Sequence, residues 1–162
     1  MAAPLIRPAT DADSQGVIAL IGGVFAEYPG CVLDLDGEMP ELRAIATTSA
    51  AMGARIWVAE AGAAIVGCVG CRPAQHPPRM MELIRLYVSA HVRGRGLGGS
   101  LTGLVERTAA AEGFGGVVLW SDTRFLDAHR LYERRGYRRQ PLTRALNDLS
   151  NSIEFEFHKT FA

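Results

Sequence analysis

The sequence has little of what marks secreted, membrane-spanning or generally nucleic-acid-binding proteins. No run of about 18 consecutive apolar residues occurs, so no transmembrane helix is expected. Residues 1–7 lack the charged start and long apolar run of a signal peptide. Lys plus Arg equals Asp plus Glu at 17 each, so no overall field attracts nucleic acid or an anionic membrane. We therefore expect a cytoplasmic protein with neither nucleic acid nor membrane as a partner.

Cysteine is scarce. The three residues Cys31, Cys68 and Cys71 cannot all pair with one another, which fits a reducing compartment better than a disulfide scaffold. Cys68 and Cys71 have C-x-x-C spacing, but they lie in a predicted strand, where positions three apart point to opposite faces. No second C-x-x-C pair and no nearby histidine pair completes a zinc site. We expect no bound metal and interpret both cysteines as buried structural residues.

The chain is long enough for one compact domain with a core, which we expect to span residues 1–162. Hydrophobic periodicity and turn residues predict an α+β fold with the element order βααβββαβαββ and one central parallel step. The predicted strands cover residues 5–7, 55–59, 64–71, 81–88, 117–120 and 153–158, with a further strand before the last. The predicted helices cover the apolar repeat at 17–25 and residues 40–52, 97–113 and 125–135.

A glycine-rich loop joins the strongest predicted strand, residues 81–88, to the helix that begins at Leu97. Its sequence is Arg93-Gly94-Arg95-Gly96-Leu97-Gly98-Gly99. Glycines leave backbone N–H groups uncovered at the positive end of a helix dipole, which makes a cradle for an anion. Arg93 and Arg95 add donors and charge of the kind that a pyrophosphate needs.

Two other phosphate-binding designs compete for this loop. A Walker A loop needs Gly-Lys-Ser/Thr at its end, whereas residues 98–100 read Gly-Gly-Ser, which argues against hydrolysis of a nucleoside triphosphate. The dinucleotide pattern G-x-G-x-x-G is matched by Gly94, Gly96 and Gly99. However, residues 89–93 separate the strand from its first glycine, and only about sixty residues follow the loop, too few for the rest of a dinucleotide fold.

A third pattern, R/Q-x-x-G-x-G/A, fits residues 93–98 directly after a strand that ends in Leu86-Tyr87-Val88. Downstream, Ala128, Tyr132, Gly136 and Tyr137 fit A-x-x-x-Y-x-x-x-G-F/Y. With these two motifs in order, essentially the whole chain resembles the GNAT superfamily of N-acetyltransferases. The resemblance implies a mixed, mostly antiparallel sheet with one splayed parallel strand pair and about four flanking helices.

The resemblance also implies the co-substrate, acetyl-CoA, and the residues that hold it. Its pantetheine arm would lie along Leu86, Tyr87 and Val88, and a backbone N–H near Val88 would polarise the thioester carbonyl. The acetyl group would pass to a primary amine of a small molecule or peptide by direct attack in a ternary complex. The residues expected to hold the pyrophosphate are Arg93, Gly94, Arg95, Gly96, Leu97, Gly98 and Gly99.

Direct attack needs a base for the amine and an acid for the departing thiolate. Tyr132 stands where the family places a tyrosine that protonates the sulfur, although packing in the core is the alternative for a helical tyrosine. Glu82 resembles a general-base glutamate of some members, although an exposed strand-end residue with a water chain as base is the alternative. Glu60 is a weaker candidate, and no histidine is assigned to catalysis. Phe125 departs from the family pattern, which has asparagine seven residues before the tyrosine.

The acceptor is not named by the sequence. Family resemblance places acceptor specificity in segments 27–36 and 146–151, whose acidic groups either attract a cationic amine or are solvated loop residues. Two further functions stay open: a dinucleotide-binding oxidoreductase and a non-catalytic acyl-CoA sensor. By analogy with relatives, a homodimer is expected through the C-terminal strand.

Overall fold

The computed structural model describes residues 2–162, which form one seven-stranded mixed sheet flanked by four α-helices. The strand order in the sheet is β1-β2-β3-β4-β5-β7-β6. The strands are β1 (Leu5–Pro8), β2 (Arg55–Ala61), β3 (Ala64–Pro73), β4 (Met81–Val88), β5 (Gly116–Asp122), β6 (Arg138–Ala145) and β7 (Ile153–Thr160). The helices are α1 (Ser14–Phe25), α2 (Ile45–Ala51), α3 (Leu97–Ala111) and α4 (Leu126–Arg134). The predicted fold class and element order are confirmed.

The helices cover both faces of the sheet, because each has one apolar face to bury. On α3, Leu101 and Val105 are fully buried, four residues apart, in the core cluster that also contains Cys71 of β3. On α1, Val17 and Ile21 repeat that spacing in the opposite cluster, which contains Cys68. The two cysteines therefore lie on opposite faces of β3, buried and free, as predicted.

The parallel pair β4–β5 is short. Only Met81 pairs with Val117 and Glu82 with Val118, while β4 stays paired with β3 as far as Val88. Beyond Glu82 the two strands separate, and Arg85 takes a left-handed conformation (φ 55°) at a register shift in the β3–β4 ladder. A bulge of this kind bends a strand and re-aims its side chains. The splayed pair is the feature of the fold that positions the site.

Two details differ from the sequence-based expectation or were not located by it. The predicted helix over residues 40–52 is a 3-10 turn, Pro40–Ala44, followed by α2, because the backbone of Ala44 is not helical (φ −141°, ψ 68°). The penultimate strand, β6, is exposed along almost its whole length, so it has no apolar alternation to locate it. The last strand, β7, pairs with β5 and β6, and the two edges of the sheet are β1 and β6.

No helix in residues 2–162 is at once long enough and apolar enough to cross a membrane. Over the same residues, no three or more His, Cys, Asp or Glu side chains are grouped so that they could hold a metal ion.

Candidate active site

Two cavities lie along β4 where it separates from β5. We call the first the glycine-loop cavity; it measures about 510 Å³ and is lined by the end of β4, the glycine loop and α4. The second, the acidic cavity, measures about 260 Å³ and is lined by five carboxylates and three arginines from strands β3 to β7 and two loops. These residues are Glu38, Glu82, Asp122, Asp148, Glu154, Arg72, Arg85 and Arg144.

The glycine loop is shaped by backbone conformations that favour glycine. Gly94 and Gly96 have φ of 76° and 86°, and a Cβ built on either one meets nothing within 4 Å. Glycine is therefore needed there for its conformation rather than for space. The first main-chain bond of α3 runs from the N–H of Ser100 to the carbonyl of Gly96 (3.0 Å). The N–H groups of Leu97, Gly98 and Gly99 precede it and have no helical partner, so they are available to an anion.

Nine of the ten predicted cofactor-binding residues line the glycine-loop cavity. Arg95 is not among the lining residues, and its side chain is exposed. The nine are Leu86, Tyr87, Val88, Arg93, Gly94, Gly96, Leu97, Gly98 and Gly99.

The positive charge of this cavity comes partly from residues that the sequence analysis did not assign to it. Arg93 donates to both carboxylate oxygens of Glu27 (2.5 and 2.7 Å) and, through Nε, to the carbonyl of Val88 (3.0 Å). Its guanidinium is thus held between the turn after α1 and the end of β4. Arg130 and Arg134 also line the cavity, one helical turn apart on α4, and within residues 2–162 Arg134 forms no ion pair. Their i, i+4 spacing is the signal that could have placed both on one helix face.

The acidic cavity is built from segments that are distant in the sequence. The hydroxyl of Ser150 accepts from the N–H of Val32 (2.8 Å) and donates to its carbonyl (3.2 Å). Nearby, the N–H of Leu149 donates to a carboxylate oxygen of Glu38 (2.9 Å). These bonds join the loop after α1 to the β6–β7 loop and close one side of the cavity.

Most carboxylates of the acidic cavity have arginine partners. Arg144 donates to Glu154 (2.8 Å), whose pKa is nevertheless raised, because burial penalises its charged form. Burial also opposes the ionisation of Asp122, but hydrogen bonds from Arg124 outweigh it and lower the pKa of that carboxyl. Glu38 and Asp148 accept backbone N–H groups instead. The cavity therefore combines paired charges with two carboxylates that have no cationic partner within residues 2–162.

The two predicted catalytic residues occupy different places. Glu82 lines the acidic cavity and accepts a hydrogen bond from Arg72 (2.8 Å). Tyr132 is 4% exposed in the core, where its ring packs on Tyr137 and Phe157 at centroid distances of 5.7 and 5.6 Å. Burial raises the pKa of Tyr132, and among the residues that line the two cavities Tyr132 does not occur. The structure therefore does not bring the two together in one cavity.

The two cavities meet at Tyr87 and Phe125, which line both of them. Burial raises the pKa of Tyr87 to about 12, so its phenol is protonated at neutral pH. A ligand whose anionic part is held by the glycine loop can therefore extend along β4 toward a second ligand in the acidic cavity. This arrangement suits the transfer of a group between two molecules.

Comparison with known proteins supports the same interpretation. The model of the Acetyltransferase (GNAT) family matches residues 24–137. The chain is 37% identical over 90 residues to N-acetyltransferase 8 of Mus musculus, an alignment that covers 54% of this chain and 40% of the relative. It is 36% identical over 90 residues to N-acetyltransferase 8B of Rattus norvegicus, covering 54% of this chain and 40% of that relative. The chain thus spans about two-fifths of the length of these relatives.

Solved structures share the fold across the whole chain. An acetyltransferase of the GNAT family from Staphylococcus aureus Mu50 aligns with a TM-score of 0.80 at 19% identity, covering 99% of this chain and 100% of that one. The PaiA N-acetyltransferase of Thermoplasma acidophilum, solved in complex with coenzyme A, aligns with a TM-score of 0.72 at 15% identity, covering 99% and 100%. The splayed β4–β5 pair, the glycine loop before α3 and a family model that matches well over half of the chain agree: the chain belongs to the acetyltransferase (GNAT) family.

Proposed function

We propose that the protein transfers an acetyl group from acetyl-CoA to a primary amine of a small molecule or peptide. The observation that carries the proposal is the meeting of the glycine-loop cavity and the acidic cavity at Tyr87 and Phe125. One cavity offers backbone donors for a pyrophosphate, and the other offers carboxylates for a cationic acceptor. Residues 1–162 would act as one domain, which the single continuous sheet supports.

Acetyl-CoA would supply the activated acetyl group. Its pyrophosphate would be held by backbone N–H groups between Gly94 and Gly99, and its pantetheine arm would run beside Leu86, Tyr87 and Val88. Arg134 is the cation of this cavity with the most freedom to meet a phosphate, because Arg93 is already engaged by Glu27. Arg95, exposed in the same loop, would add only long-range charge.

The transfer is balanced without an oxidant or a metal. An acceptor amine with a pKa near 10 first gives a proton to a base, which we propose to be Glu82 or a water molecule that it orients. The neutral nitrogen then bonds to the carbonyl carbon as the carbon–sulfur bond breaks. The second nitrogen proton passes through water to the departing thiolate as the amide forms, so the sulfur leaves as a thiol. The free main-chain groups of β4 beyond Glu82 would lie beside the carbonyl oxygen.

We propose Tyr132 as the group that stabilises the departing sulfur, as family resemblance implies. Because burial raises its pKa, its phenol is neutral at physiological pH and can donate a hydrogen bond. The same raised pKa makes full proton transfer to a thiolate, whose pKa is about 8.5, unfavourable. Tyr87 is the rival donor, since it lines both cavities and is also neutral at physiological pH.

A non-catalytic acyl-CoA sensor is the second candidate. It is favoured by the pairing of Glu82 with Arg72 and by the position of Tyr132 outside the lining of both cavities. A sensor would keep its affinity for acetyl-CoA and show no turnover with any amine.

The cellular setting and assembly are also proposals. Three free cysteines, two of them buried on opposite faces of β3, support a reducing, cytoplasmic compartment. A homodimer would form through the C-terminal strand β7 together with its neighbour β6, which is a free sheet edge and carries the exposed Leu142.

The function is tested by a free-thiol assay with acetyl-CoA and a panel of primary amines, with mass spectrometry of the products. We expect thiol release that depends on the amine and an equal amount of acetylated amine. Binding of acetyl-CoA without amine-dependent thiol release would favour the sensor. Absence of both binding and release would overturn the proposal.

A further inference from the structure

Four aromatic side chains stand together where the two cavities meet. The ring of Phe125 lies 4.8 Å from that of Tyr28 and 6.3 Å from that of Phe25, measured between centroids. Phe25 in turn packs edge-on against Tyr87 at 5.8 Å. We call Phe25, Tyr28, Tyr87 and Phe125 the aromatic wall.

The aromatic wall separates the cavities. Tyr28 lines the glycine-loop cavity and Phe25 lines the acidic cavity, while Tyr87 and Phe125 line both. An acyl group carried along β4 therefore reaches the rings of Tyr87 and Phe125 before it reaches the acceptor. The wall is placed to limit how far an acyl chain extends.

Phe125 is the member of the aromatic wall whose substitution should disturb the fold least. Phe25, the last residue of α1, is only 8% exposed and belongs to a core cluster, and Tyr87 lies within β4. Phe125 is half-buried and precedes α4 without being part of a sheet. It also stands where the family pattern has asparagine, so an apolar ring occupies the place of a polar side chain.

We propose that Phe125 is a specificity-determining residue that restricts the acyl group to acetyl. The inference rests on the proposed function and concerns the acyl donor rather than the amine. Packed protein interiors leave little room for added methylenes, so a longer chain must displace the ring. Removing the ring would join the cavities through a space bounded by Phe25, Tyr28 and Tyr87, which is apolar enough to accept methylenes.

The test is calorimetric binding of acetyl-CoA, butyryl-CoA and hexanoyl-CoA, which needs no knowledge of the acceptor. For the wild type we expect the Kd to increase at least tenfold from acetyl-CoA to butyryl-CoA, in line with the roughly tenfold or greater discrimination per methylene of a closed pocket. For Phe125→Ala we expect the ratio to fall at least tenfold, with hexanoyl-CoA binding as tightly as acetyl-CoA. Tyr28→Phe, which keeps the ring, should retain the wild-type ratio.

Phe125→Leu provides a second test in case the alanine variant does not fold. We expect it to give a ratio of the butyryl-CoA to the acetyl-CoA Kd between those of the wild type and Phe125→Ala. A ratio within twofold of the wild type in the folded Phe125 variants would overturn this inference while leaving the proposed function in place. Wild-type protein that binds none of the three acyl-CoAs would overturn the proposed function together with it.

Discussion

The glycine-loop cavity and the acidic cavity share a boundary but are assembled differently. Residues 86–99 supply most of the first, within one strand–loop–helix unit whose geometry is set by local backbone preferences. The second needs loops more than a hundred residues apart, joined by bonds such as that between Val32 and Ser150. Local construction fits a fixed ligand, and construction from distant loops allows the second ligand to differ between relatives.

The largest effect is expected at the hydrogen-bond donor proposed for the departing sulfur. Tyr132→Phe should lower kcat roughly 100-fold, the lower range for loss of one preorganised hydrogen-bond donor, and leave the Kd of acetyl-CoA unchanged. Tyr87→Phe is the matched comparison, since it removes the same hydroxyl from the residue that lines both cavities. Steady-state kinetics with the amine found in the thiol assay measure both. A larger loss of kcat in Tyr87→Phe would show that Tyr87, not Tyr132, donates the hydrogen bond to the sulfur.

A smaller effect should be confined to the glycine-loop cavity. Gly96→Ala places a Cβ at φ 86°, which costs about 1–2 kcal/mol and which the loop can relieve only by leaving its binding geometry. We expect the Kd of acetyl-CoA to rise roughly five- to thirtyfold, with the KM of the amine unchanged. Gly23→Ala on the exposed side of α1, where a Cβ also meets nothing, is the control and should bind normally. Equal affinities of Gly96→Ala and Gly23→Ala for acetyl-CoA would contradict the role of the glycine loop in binding it.

One substitution should disturb the acidic cavity without affecting the glycine-loop cavity. Ser150→Ala removes both hydrogen bonds that hold Ser150 to Val32, one of which leaves a backbone N–H without its partner. We expect the KM of the amine to rise roughly fivefold, equivalent to about 1 kcal/mol, and the Kd of acetyl-CoA to stay constant. Ser100→Ala, exposed on α3, is the matched control. A change in acetyl-CoA affinity instead would show that the two cavities are coupled.

The smallest effect on either cavity is expected from an ion pair outside both. The hydrogen bond from Arg7 holds the pKa of Asp13 at about 2, below its ordinary value near 3.8. A lowered pKa in the folded state gives stability that is present above about pH 4 and is lost as the pH falls toward 2. Asp13→Asn should therefore lower Tm at pH 6 and lower it by less at pH 2.5, where part of the stabilisation is already lost. Thermal unfolding across this range, with acetyl-CoA affinity at pH 7 unchanged, is the check; equal losses of Tm at both pH values would exclude the ion pair as the cause.

Local patterns were enough to predict the parts of the fold that depend on neighbouring residues. The alternation of β3 predicted that Cys68 and Cys71 face opposite sides, and they lie in separate core clusters. Apolar spacing located α3, and a strand–glycine–helix sequence located the cavity beside it. In each case the period or spacing of a few residues determines the geometry.

Features that depend on tertiary contacts were not predictable in the same way. Glu27 and Arg93 are 66 residues apart, and no local pattern indicates that they pair. The position of Tyr132 outside both cavities depends on how α4 packs against β7, which a motif alone does not reveal. Likewise the position of β6 at one edge of the sheet depends on the strand order, which no local pattern indicates.

The central claim is that the glycine loop holds acetyl-CoA, and isothermal titration calorimetry of acetyl-CoA and NADH tests it most directly. For the wild type we predict saturable, one-to-one binding of acetyl-CoA and no binding of NADH. Arg93→Ala should weaken that binding, because it removes the contacts that fix the loop to Glu27 and Val88. Binding of NADH with none of acetyl-CoA would contradict the account and assign the loop to a dinucleotide.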